Sequence, residues 1–211
     1  MMRIESVAAQ PDRAGRHTVK FDDGTAMRLY RQTIEDFGLY AGKELSDGEC
    51  SELRTAAGQM SAKMRAVRIV SASNVSKGDL QRRLVQKGES ASDAQQAVAW
   101  MEEMSLLDDK KTAQQVVQHC IYKGYGVSRA KQALYEKRIP KEYWDEVLSD
   151  YPDQTDKILT FLQSRLKDRW EEKDLRRVMD ALLRRGHSYQ EIRKALRLFT
   201  EDADFQEDIY G

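Results

Sequence analysis

Three prolines, two cysteines and three histidines are all that 211 residues supply of the side chains that break helices, staple folds or bind transition metals. So little proline leaves long stretches free to be helical. Cys50 and Cys120 are isolated, with no metal-type spacing, and fit a reduced, cytoplasmic chain better than a disulfide scaffold. His17, His119 and His187 are scattered, with no zinc spacing, nucleophile elbow or paired carboxylates beside them. No catalytic constellation is visible, so the reading is a non-enzyme without cofactor or metal. No apolar run approaches the roughly 18 to 20 residues of a membrane helix. Met1 and Met2 lead into Arg3 and Glu5, which does not read as a signal peptide. Charge of one sign is missing too: 35 basic side chains face 35 acidic ones, which argues against a histone-like polycation. The acidic residues Glu201, Asp202, Asp204, Glu207 and Asp208 still leave the rest of the chain net positive.

What the chain has is helix-forming composition, 40% hydrophobic and 33% charged, preceded by a short β-like stretch. Residues 17–21 and 26–30 alternate polar and apolar side chains around Asp22, Asp23 and Gly24. A three-residue loop with left-handed Gly24 pairs Val19 with Met27, and residues 3–9 can add a third strand. Between them and residue 60, 32–39 reads as a short helix, 41–48 as turn, and 51–59 as the opening of another helix.

From about Met60 the chain repeats itself. Leu84, Leu134 and Leu182 are each followed, after two residues, by a base (Lys87, Lys137, Arg185) and then by Gly88, Arg138 or Gly186. Apolar residues stand four before each leucine (Leu80, Ala130, Val178) and fourteen after (Val98, Leu148, Leu196). That is a degenerate repeat of about 50 residues, each unit holding three amphipathic helices. Ser76 with Asp79, Ser90 with Asp93, and Ser188 with Glu191 match capping boxes, and Pro140 fits the first position of a helix. Trp100, Trp144 and Trp170 fall within helices as packing residues. The expected fold is mainly α: three tandem three-helix units forming an elongated curved rod, with a small N-terminal β-hairpin or three-stranded extension. The expected divisions are 1–59 (extension), 60–107, 108–151 and 152–200 (repeats), and 201–211 (acidic tail).

Lys87-Gly88, then Leu106-Leu107-Asp108-Asp109, Ala113, Lys123-Gly124-Tyr125-Gly126, Arg129 and Leu134 form an ordered combination that resembles the RecX family, regulators of the RecA recombinase. Thr112 stands where that family usually has an aromatic. The resemblance implies a protein that binds in the helical groove of the RecA filament on single-stranded DNA. It also implies damped strand exchange and coprotease activity and limited filament growth.

Three basic clusters stand out as candidates for such a function. The first holds Lys63, Arg65, Arg68, Lys77, Arg82, Arg83 and Lys87; the second Lys123, Arg129, Lys131, Lys137 and Arg138, interleaved with Tyr122 and Tyr125. The third holds Arg165, Lys167, Arg169, Arg176, Arg177, Arg184, Arg185, Arg193, Lys194 and Arg197. Arg forks suit phosphate and carboxylate, and tyrosines stack on bases or anchor interfaces. For any one of them the plainer reading is a solvated helix face. Gly124 and Gly126 read as helix stop and start rather than a phosphate loop, and Asp108-Asp109 as a helix cap rather than a metal site. The selected contact residues are Arg82, Arg83, Lys87, Lys123, Tyr125, Arg129, Lys131, Arg176, Arg177, Arg184, Arg185 and Arg193. The leading partner is the RecA filament, with single- or double-stranded DNA as a further ligand, no membrane, and a monomeric protein. The competing readings are a helical-repeat nucleic-acid-binding protein without an obligate protein partner, and an adaptor for an unrelated protein.

Overall fold

The N-terminal alternation becomes an antiparallel sheet in the computed structural model, which describes residues 1–166 and 170–210, with side chains up to residue 200. Strands β1 (Met2–Val7), β2 (Arg16–Phe21) and β3 (Ala26–Tyr30) are joined by a two-residue β4 (Glu44–Leu45), in the order β3-β2-β1-β4. Val19 pairs with Met27 across the hairpin, and Gly24 has φ +81°. The fourth strand lies in the stretch expected to be turn; two residues are too few for alternation to show, yet Leu45 pairs with Met2 and is buried.

Two helices leave the sheet, α1 (Arg31–Asp36) and α2 (Asp47–Ala72). The latter starts before residue 51 because Ser46 and Glu49 form a reciprocal capping box: Glu49 N–H donates to Ser46 Oγ (3.2 Å) and Ser46 N–H to Glu49 Oε2 (2.8 Å). It then runs unbroken across the expected division at residues 59 and 60. Its first turns, through Cys50 and Leu53, close the sheet core of Ile4, Val19, Phe21 and Leu29. Its later turns present Ala62, Ala66 and Ile69 to Leu80, Leu84, Ala94 and Met101 on α3 (Lys77–Gln86) and α4 (Ala91–Glu103). One helix therefore serves two cores, and sheet and first helical layer form one unit, Met1–Leu107.

The second unit is Asp108–Gly211. Asp108 caps α5 (Asp109–Tyr122), its Oδ1 accepting from Lys111 N–H at 2.9 Å. Then follow α6 (Val127–Glu136), a 3-10 turn at Lys141–Tyr143, α7 (Trp144–Leu148), α8 (Thr155–Arg165), α9 (Glu172–Arg184) and α10 (Tyr189–Tyr210). Pro140 does not open an α-helix; it precedes the 3-10 turn, and Trp144 Nε1 donates back to Ile139 O at 3.1 Å. Trp170 is not helical either: α9 begins only after Glu171, whose carboxylate and that of Asp174 cap it, and Trp170 is 39% exposed. Lys167, Arg169 and the side chains of the acidic residues from 201 on lie outside the described residues.

The repeat marks a shared helix stop. Leu84, Leu134 and Leu182 are all fully buried. Gly88, Arg138 and Gly186 take left-handed φ of +92°, +53° and +87°. The next residue's N–H returns to the leucine carbonyl at 3.1, 3.0 and 3.2 Å, which closes each helix end. No helix among the described residues is long and apolar enough to cross a membrane.

Candidate partner-binding surfaces

In the first unit, α3 organises the cations through one buried carboxylate. Ser76 accepts from Asp79 N–H (3.0 Å), leaving the Asp79 side chain free to face along the helix. Arg82 Nη2 bonds its Oδ1 at 2.6 Å. Arg83 Nη2 lies 2.9 Å from Oδ2, close enough for Coulomb attraction but off line for a hydrogen bond. Burial alone would raise the Asp79 pKa; the bond from Arg82 and the charge of Arg83 outweigh it and hold the carboxyl below its usual range. The two arginines are thereby aimed, with about a third of each side chain in solvent. Lys87 is exposed, and its carbonyl accepts from Arg65 Nη1 at 2.8 Å.

Around these residues a cleft of about 430 Å³ opens between the sheet and the helices. It is lined by Arg16, Tyr30, Arg65, Arg68, Arg83 and Lys87, together with Ala14, Ile69, Ala72 and Ser73. Arg82 points instead along α3, donating to Gln86 Oε1 at 2.9 Å. Arg16 and Tyr30 lie on strands and were not among the sequence candidates. Nothing in their own neighbourhood marks them; only the folding of β2 and β3 against α2 sets them beside Arg68.

In the second unit, the turn at 123–126 and the turn at 185–188 interlock. Gly126 N–H donates to Arg185 O (3.0 Å) and Ser128 N–H to Gly186 O (3.3 Å). Arg185 Nη2 donates to Lys123 O (2.8 Å), and its guanidinium lies 5.0 Å from the Tyr125 ring and 5.1 Å from that of Phe161. Each such stacked contact contributes on the order of 1 kcal/mol. Buried His187 donates from Nε2 to Gly124 O at 3.1 Å, and burial, the largest influence, pushes its pKa down, so it is neutral. Tyr151 donates to Tyr125 O at 2.7 Å; burial, with Cys120 and Glu191 nearby, pushes its pKa up to about 12.

This lock sorts the candidates. Arg185 and Tyr125 are engaged inside the unit and serve as braces. Lys123 and Lys131 are exposed, as is Arg184, and none of the three meets a carboxylate among the described residues. Arg129 pairs with Glu136 at 3.0 Å, Arg176 with Glu172 at 2.5 Å, and Arg177 lies 3.7 Å from Asp174. Arg193 stacks 4.9 Å from the Tyr189 ring. Arg82, Arg83 and Lys87 thus form one group in the first unit, and the rest belong to the second. Among the described residues no three His, Cys, Asp or Glu side chains gather closely enough to hold a metal ion.

No family model matches the chain. It is 30% identical over 142 residues to regulatory protein RecX of Trichlorobacter lovleyi, covering 62% of this chain and 90% of that protein. It is 26% identical over 149 residues to regulatory protein RecX of Vibrio parahaemolyticus, covering 68% of this chain and 94% of that protein. With regulatory protein RecX of Streptococcus gordonii it shares 24% identity over 199 residues, 92% of this chain and 77% of that protein. A crystal structure of regulatory protein RecX superposes with a TM-score of 0.62 at 21% identity, over 92% of this chain and 100% of the other. RecX from Lactobacillus salivarius superposes with a TM-score of 0.58 at 18% identity, over 69% of this chain and 98% of the other. At these identities the two superpositions speak to the fold.

Proposed function

The chain belongs to the RecX family of regulatory proteins, and from that premise we propose that it binds the RecA filament on single-stranded DNA and lowers its recombinase, ATPase and coprotease activities. RecA regulation is the family's role. The observation that supports the finer reading is the set of exposed cations in each unit, Lys87, Lys123, Lys131 and Arg184, none with a carboxylate partner among the described residues. Surface charge left uncompensated within the chain is available to steer it onto an acidic filament or its DNA. Two basic units on one chain also raise each other's effective concentration at neighbouring protomers, so modest contacts sum to firm binding. Holding the filament in one state then slows its growth and turnover by population shift.

The test is single-stranded-DNA-dependent ATP hydrolysis by the cognate RecA, with this protein titrated in. Inhibition well below one copy per recombinase is expected. Charge reversal at Lys123, Lys131 and Arg184, which breaks no internal ion pair, is expected to raise the half-inhibitory concentration by about tenfold or more. No effect at stoichiometric excess of folded protein would sink the proposal.

A further inference from the structure

We propose that the basic cleft of the first unit binds the phosphodiester backbone of single-stranded nucleic acid, with the N-terminal sheet supplying one of its walls. The inference goes beyond the filament reading and does not depend on it, since it concerns bare strand without recombinase.

Five cations line the cleft, Arg16, Arg65, Arg68, Arg83 and Lys87, and no carboxylate does. Three of them are braced by acids at its rim: Asp12 holds Arg16 at 2.8 Å, Glu89 holds Arg65 at 2.7 Å, and Asp79 lies 2.9 Å from Arg83. Bracing limits the rotamer freedom that each guanidinium must lose on binding. Asp12 is held down at about 2, chiefly by hydrogen bonds from Arg16, and Asp79 is held below its usual range by Arg82 and Arg83. Arg68 and Lys87 have no carboxylate partner among the described residues, so the cleft keeps a positive excess. Arg68 donates instead to the Tyr30 hydroxyl, which ties α2 to the end of β3 and sets an aromatic ring among the cations.

Guanidinium forks suit both phosphate and carboxylate. The uncharged part of the lining decides between them. Besides Tyr30, it is made of Ala14, Ile69, Ala72 and Ser73, mostly small side chains that offer little of the apolar anchoring on which protein interfaces depend. Several cations beside an aromatic ring suit a single strand, the cations meeting its phosphates and the ring a stacked base. The sheet is therefore part of the site, because Arg16 and Tyr30 both come from it.

The experiment is fluorescence anisotropy of a labelled oligothymidylate of about 20 nucleotides with the full chain, across a salt series. Arg68→Glu with Lys87→Glu removes no internal ion pair and is expected to weaken binding about tenfold or more. Losing two contacts should make the log–log salt dependence shallower by about 1.4. Lys87→Gln alone, at an exposed helix end where folding is not at stake, should cost about threefold and a slope change of about 0.7. Arg16→Gln should weaken binding by a similar factor, tying the sheet to the site. Poly(dT) should displace the probe, while tripolyphosphate and polyglutamate at matched charge should do so far less. Unchanged affinity in the double variant and in Lys87→Gln overturns the proposal. Equal displacement by polyglutamate or by tripolyphosphate also overturns it, pointing respectively to an acidic polypeptide or a free polyphosphate as the occupant.

Discussion

His187 and Asp79 show how single buried polar residues steer charged neighbours. The imidazole is 4% exposed, donates from Nε2 to Gly124 O, and leaves Nδ1 without a hydrogen-bond partner. Protonating Nδ1 would put a charge in a buried site, beside the Arg185 cation, so the folded protein holds the group below its ordinary 6.5. The unfolded chain then binds the extra proton first, and stability falls as pH drops below about 6.5 until the folded-state value is passed. Between about pH 7 and about pH 5.5 the melting temperature of the wild-type protein should fall more steeply than that of His187→Gln. Parallel curves would show that the ring takes up its proton without penalty. In the sequence His187 is one of three scattered histidines, and its burial under the turn at 123–126 has no local signal. Arg185 was selected as a contact residue on charge alone, and the rings of Tyr125 and Phe161 that engage it lie far away along the chain.

At the scale of elements, the legible feature was the stop. The leucine, the base and the glycine or arginine after it are spaced by the helix turn itself, so they recur wherever a helix ends in the same left-handed conformation. The illegible feature was what each stop packs against. Gly126 has an extended backbone, with φ −78°, that any residue could adopt. A Cβ there would nevertheless lie 2.1 Å from Gly186 O, and one at Gly186 would lie 2.3 Å from Arg129 N. Space rather than conformation demands the first glycine. Gly126→Ala should cost about 3 kcal/mol or more, since the clash is with backbone and cannot be relieved by a rotamer change. Urea unfolding followed by circular dichroism would read this, and a loss under about 1 kcal/mol would mean the two turns can separate cheaply.

Across the whole molecule, each unit carries two hydrophobic clusters of its own. In the first they form under the sheet and between α2, α3 and α4; in the second they form around Leu134 and around Leu182. Leu84→Ala and Leu182→Ala, at fully buried repeat positions in different units, should each cost about 2 to 5 kcal/mol. Sharing no neighbours, they should act independently. Native-state hydrogen exchange should place the lost protection of Leu84→Ala within residues 1–107 and that of Leu182→Ala beyond residue 108. Protection lost throughout by either variant would mean that the chain unfolds as one cooperative body.

Sequence alone determined the helical class, the repeat, the hairpin register and most helix starts, because each is written in side chains within a turn or two of one another. Ser76, Ser90 and Ser188 accept from the N–H three residues on, as their spacing implied, and Glu191 completes the reciprocal box by accepting from Ser188 N–H. Only the tertiary structure decided which cations are braces and which are free, and that a strand arginine and tyrosine share a cleft with two helices. Those outcomes depend on contacts between segments distant along the chain, where no periodicity operates. The start of α2 at Ser46 was local and still missed, because a two-residue strand beside it disguised the cap as turn. Helix identity is thus a short-range property of this protein, while the direction and freedom of its charges follow from packing.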